Sequence, residues 1–230
     1  RVDRVYRDIR LSSGEVPESR AMRSRPLDER AELCVIESVD PLTPGASWGG
    51  HVEQWRSWAR RSGLTTDVIQ TKKSNSLLAN AEIIRRELAS HPHDRRIIAT
   101  LGQGSAEFRL LLEQLLKTAP HELDGIQMWL NVAGLIRGGS GVAMKRSNFW
   151  DRKTLEVTAR LRGRPASMPH QLSPTNPRLR LEPELQGLPF VCVSMVGFPR
   201  VADVPAGLKS SYLAMSSVGP SDGLALFHES

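Results

Sequence analysis

The most chemically suggestive residues of this chain lie in one short turn, "TLGQG", Thr100 to Gly104. The turn follows the apolar run "RIIATL" and leads into "SAEFRLLLEQLL", so it joins a strand-like segment to a helix-like one. Glycine turns in that setting serve two chemistries. One seats a phosphate on the helix N-terminus, where free N–H groups and the helix dipole favour an anion. Here the G-x-G has no third glycine at the usual spacing and no Lys-Ser/Thr pair, and Glu107 in the first helical turn would repel a phosphate. The other chemistry is the G-x-S-x-G elbow, a strained turn that lifts a nucleophile above a sheet while the next N–H helps to hold an oxyanion. Aligned to that pattern, Thr100-Leu101-Gly102-Gln103-Gly104 carries glycine at the nucleophile position.

Other groups could in principle substitute. Ser105 is the nearest hydroxyl, but its place in the first helical turn suits capping or packing, which leaves it the lesser alternative as nucleophile. His51, His91, His93, His121 and His170 fall in loops or at helix ends, where surface histidines are the default; His51 could border a pocket. Cys34 and Cys192 both sit in apolar strand-like runs and read as buried free thiols. There is no CxxC and no Cys/His spacing suited to zinc, so neither metal nor cofactor is expected.

The elements that must position this turn alternate along the chain. "ELCVIESV" (32–39), "TTDVIQT", "RIIATL", "GIQMWLNVAG" and "LPFVCVSMVGF" read as strands, the first and last of them as buried ones. Between them "HVEQWRSWARRSG" places Val52, Trp55, Trp58 and Ala59 at helical spacing and ends at Gly63. "SNSLLANAEIIRRELASHP" can be capped by Ser74 or Asn75 and is stopped by Pro92, and the helix after the elbow is expected over 105–117. Alternation of this kind implies βαβ units, hence an α/β fold with a mostly parallel sheet flanked by helices. Residues 1–30 read as an extended N-terminal arm and 31–230 as one domain, with 142–186 a basic insertion or cap.

Taken in order, "SLLANAEIIRRELA", "IIATLGQGSAEFRLLLEQ", "GIQMWLNVAGLIRGGSGVA" and "SYLAMSSVGPSDGLALF" resemble α/β-hydrolase-fold proteins of the lipase/esterase kind, over roughly residues 33–228. In such proteins the elbow reads about Y-S-K-G-S-x-D, the next strand ends in V-x-G-x-x-G-G-S, and a G-P-x-D-G turn carries an acid. The resemblance implies that Asp222 of "GPSDG" stands at the triad acid, now vestigial, and that the Gln103 backbone N–H is one oxyanion donor. The other donor would come from the loop near Leu42 or Thr43. The chain departs from the family at Gly102, and His228, six residues after Asp222, is too close to reach back over the elbow. The expectation is a catalytically impaired hydrolase-fold protein acting as a binding or structural subunit. The alternative is an active serine hydrolase (esterase, lipase or acyltransferase) with another nucleophile or a histidine supplied from elsewhere.

Charge points to where a partner would sit. Of 230 residues, 40% are hydrophobic and 24% charged, with a net charge of +6, an ordinary globular balance. Between Arg137 and Arg180 there are ten Lys or Arg and two acids, Asp151 and Glu156. Arg137, Lys145, Arg146, Arg152, Lys153, Arg160, Arg162 and Arg164 are therefore candidates for contact with a protein partner or another anionic surface. Phe149 and Trp150 are the segment's only aromatics, too few for a base-stacking platform, so nucleic acid is the weaker expectation. No apolar run approaches the ~18 residues of a membrane span, and the charged start shows no secretory signal, which makes the cytoplasm the expected compartment. Arg1 as the first residue suggests a start inside a longer chain.

Overall fold

The computed structural model describes residues 31–38, 49–72, 74–92, 94–132, 134–139 and 188–195, with scattered positions in 153–180 and beyond 201. The arm expected over 1–30 and most of the Pro/Gly loop after the first strand lie outside them. Five strands, β1 (Glu32–Glu37), β2 (Thr65–Gln70), β3 (Arg96–Leu101), β4 (Ile126–Val132) and β5 (Val191–Met195), form one sheet in the order β2-β1-β3-β4-β5. Every neighbouring pair is parallel.

Parallel strands need crossovers, and the helices that make them cover both faces. The two-residue period of β1 decides which side chain meets which helix. Leu33 and Val35, with Ile97 and Ala99 of β3, face α1 (Gly49–Arg61) and its Val52 and Ala59. Cys34 and Ile36 point the other way, with Ile98 and Trp129, toward α2 (Leu77–Ser90) and α3 (Gln103–Thr118). On α1, Trp55 packs beside the first cluster and meets Trp58 edge-to-face at 5.9 Å, while Trp58 is exposed.

Two helix starts differ from expectation. The cap of α2 is Ser76, whose Oγ accepts the Ala79 N–H at 3.2 Å, rather than Ser74 or Asn75. It directly precedes the first helical residue in extended backbone, the only place from which a side chain reaches that N–H. Helix α3 begins at Gln103 because Gly102 itself is its cap residue, and every residue from Gln103 to Leu112 is buried. The first ten residues of α3 are enclosed on all sides, so the polar residues among them are enclosed too.

The short helices α4 (Met168–Gln171) and α5 (Pro177–Arg180) place Met168, Leu172 and Leu179 in the α2/α3 core. Gln171 Oε1 accepts the Leu77 N–H at 2.9 Å, and the Gly139 N–H donates to the Leu172 carbonyl at 2.9 Å. Arg109 of α3, wholly buried, donates to the carbonyls of Ile136 at 2.6 Å and Leu179 at 2.8 Å and pairs with Glu113 at 2.8 Å.

One strand corrects the sequence reading. "VCVSM" is not buried: all five residues of β5 are exposed, Val191 at 59% and Met195 at 52%. An apolar run identifies a strand but not its rank in the sheet, and β5 is an edge of the described sheet. Cys192 is accordingly exposed, whereas Cys34 is buried as expected and burial pushes its thiol up to about 12. Loss of hydration raises the Cys192 thiol too, so iodoacetamide at pH 8 is expected to modify Cys192 in the native protein more slowly than a free thiol and to leave Cys34 intact until denaturant is added, as read by intact mass.

Candidate functional site

The turn between β3 and α3 has the backbone of an elbow. Gly102 adopts φ 51 and ψ −119, a region that side-chain-bearing residues enter only under strain. Among the described residues, a Cβ placed there would meet nothing within 4 Å. Two glycines let the surrounding backbone close up. A Cβ on Gly104 would lie 3.2 Å from the Ile36 carbonyl of β1, and one on Gly134 would overlap Asn131 Oδ1 and the Ser105 side chain. The Gly102 carbonyl accepts the Leu135 N–H at 3.0 Å, which ties the loop after β4 to the turn.

Two buried polar groups flank the first turn of α3. On the β4 side, Trp129 Nε1–H donates to Thr100 Oγ1 at 2.8 Å, and Thr100 Oγ1 lies 2.8 Å from Ser105 Oγ. Next to them Asn131 Nδ2 donates to Ser194 Oγ at 3.0 Å. On the β1 and β2 side, Glu107 Oε1 accepts Asn80 Nδ2 at 2.7 Å, Gln103 Nε2 at 2.7 Å and Ser38 Oγ at 3.4 Å. Glu107 is wholly buried, and loss of hydration raises its pKa from 4.5 to about 7 against the opposing pull of these donors. Among the described residues, Glu107 Oε2 and Asn131 Oδ1 are the buried polar atoms without a partner.

The expected site residues separate as follows. Gly102, Gln103 and Ser105 lie together at the elbow. Ser105 is 0% exposed and held by Thr100, beneath the turn rather than above it. Asp222, His228 and the loop around Leu42 and Thr43 lie outside the described residues. Of the basic candidates, Lys153 and Arg160 are exposed and Arg137 is half-buried; Lys145, Arg146, Arg152, Arg162 and Arg164 lie outside. Lys153 and His170 both approach Glu156, at 3.4 Å and 3.9 Å. His91 and His121 belong to the amino end of the sheet, beyond Ser90 and before β4, away from the elbow. Among the described residues no cluster of His, Cys, Asp or Glu could hold a metal ion, and no helix is long and apolar enough to cross a membrane.

Sequence reading did not single out Asn80 or Arg109, and it assigned Glu107 only a repulsive role. The one available signal was the spacing of Gln103 and Glu107, four apart on one helix face.

No protein-family model matches the chain, and no curated protein sequence does. Among solved structures it is similar to a metagenomic carboxyl esterase, at 17% identity and a TM-score of 0.67, over 88% of this chain and 60% of that one. It is also similar to a Bacillus licheniformis lipase in its mature form, at 12% identity and a TM-score of 0.62, over 87% of this chain and 78% of that one. The chain thus spans 60% of the length of the esterase. Likeness at these identities carries the architecture and leaves the chemistry to the residues. With its parallel sheet, helices on both faces and a glycine elbow leading from β3 into a central helix, the chain has an α/β-hydrolase-like fold.

Proposed function

We propose that this protein is a catalytically impaired α/β-hydrolase-fold protein that acts as a binding or structural accessory subunit. The observation that carries the reading is Gly102: the turn keeps a positive-φ backbone and a Cβ there would meet none of the described residues within 4 Å, yet the position has no nucleophile. Loss of a triad serine forfeits on the order of 10⁶ in rate, leaving only binding and oxyanion contributions. The basic segment from Arg137 to Arg180 is the proposed contact surface, through exposed residues such as Lys153 and Arg160.

A second reading, an active serine hydrolase, draws on the two structural neighbours, which are named as a carboxyl esterase and a lipase. It requires Ser105, or a group outside the described residues, to act as nucleophile. Complete burial of Ser105 and its bond to Thr100 weigh against that serine.

A fluorophosphonate probe and a p-nitrophenyl ester separate the two. The wild-type protein is expected to show neither labelling nor turnover above buffer. Gly102→Ser is expected to fold, because a Cβ there meets none of the described residues, at a cost of about 1–3 kcal/mol for a side chain at positive φ. It should remain inactive. Robust turnover in Gly102→Ser would show that the rest of a catalytic site survives, and wild-type labelling lost in Ser105→Ala would establish the second reading.

A further inference from the structure

Glu107 lies where four elements meet: the end of β1 at Ser38, the end of β2 at Thr71, α2 at Asn80 and the first turn of α3 at Gln103. Asn80, Gln103 and Ser38 all direct their donors to one oxygen, Oε1, while Oε2 has no partner among the described residues. The charged neighbours on these elements are engaged elsewhere or point outward. Glu37 accepts Gln70 Nε2, the Lys72 side chain is exposed, Arg85 of α2 is paired with Glu122, and Arg109 is turned to Glu113 and three carbonyls. What surrounds the carboxyl in the described structure is therefore neutral: two amides and two hydroxyls.

We propose that Glu107 is a proton-operated latch on the elbow, sealing the first turn of α3 against the ends of β1 and β2 while it keeps its proton and releasing that turn when it ionises. A buried carboxylate with no cation beside it gains hydration in any state that lets water reach Oε2, so ionisation favours local opening. Gly102 and Gln103 move with the turn because one caps it and the other begins it. The rise of the Glu107 pKa from 4.5 to about 7 supports this. If the carboxyl regains its ordinary pKa on opening, ionisation multiplies the opening constant by up to about 300-fold. The latch is independent of the proposed function, since it requires neither ligand nor turnover.

Amide hydrogen exchange on the whole chain at pH 5.5 and 8.5, divided by intrinsic rates, tests it. In the wild type the opening constant of Ser105 to Phe108 is expected to rise by up to about 30-fold at the higher pH, because pH 5.5 already lies above 4.5, and there to exceed that of Leu111 to Leu115 in the same helix. In Glu107→Gln the change should shrink to less than about threefold. A side-chain ¹³C titration of Glu107 should share the midpoint of the opening, which keeps the test decisive if the variant does not fold. Equal opening constants along all of α3 at pH 8.5, equal behaviour of wild type and variant, or a Glu107 midpoint at its ordinary 4.5 would overturn the latch.

Discussion

Arg109→Ala is expected to lower unfolding free energy by about 3–5 kcal/mol, the range for removing one member of a buried ionic cluster. The guanidinium is wholly buried and joins three parts of the chain that are remote in sequence. It belongs to α3, its fork reaches the Ile136 carbonyl after β4 and the Leu179 carbonyl of α5, and its charge meets Glu113. Truncation leaves those carbonyls without their donor in a site closed to water, at about 1–3 kcal/mol for each buried acceptor. It also opens a cavity under Leu179, which is itself 0% exposed. Arg109→Met refills much of the volume but supplies no donor, so it should recover only the cavity part. Urea unfolding of the three proteins checks the order wild type, Met, Ala. Limited proteolysis in the Ala variant should show new cleavage around residues 177–180, the segment that loses its anchor.

Wild-type stability is expected to carry a component of about 3 kcal/mol that disappears between pH 4.5 and about 7, owing to Glu107. The sign follows from the proton count. Between those two values the unfolded chain has ionised this carboxyl while the folded chain still holds its proton. The unfolded state therefore binds fewer protons, and stability falls as pH rises. The contribution is fully present below 4.5 and gone above the folded value. Glu107→Gln has nothing to ionise and can still accept from Asn80 and Gln103. It should match the wild type at pH 4 and exceed it by about 3 kcal/mol at pH 8. Chemical denaturation of both proteins across that range gives the difference directly, with the other carboxylates cancelling. A difference independent of pH would place the ionisable group elsewhere.

Much of the architecture was legible in local pattern. "ELCVIE" and "RIIATL" announce central strands because a parallel sheet covered on both faces needs apolar side chains in both directions, and both are buried. The glycines of "LGQG" marked the elbow, since only positive φ at Gly102 and close approach at Gly104 need that residue type there. Other features depend on partners far away in the chain. "VCVSM" is an apolar run like the centre of "ELCVIE" but lies at the edge of the described sheet, and strand order is written in no single segment. Nor does a local window distinguish an exposed Ser105, Glu107 or Arg109 from a sealed one. Helix α3 looks one-sided in its apolar residues, yet its first ten residues are enclosed by strands and helices up to 70 positions away.

The sequence by itself determined that a strand, a glycine turn and a helix follow one another, and that Gly102 at the tip of that turn has no side chain. Those are properties of adjacent residues and of backbone sterics. Only the tertiary structure decided that Ser105 lies under the turn, that Arg109 clasps α5, and that Glu107 is shut away from the cations of the described residues. Burial, and with it the energy of every polar group, is set by which segments converge in space.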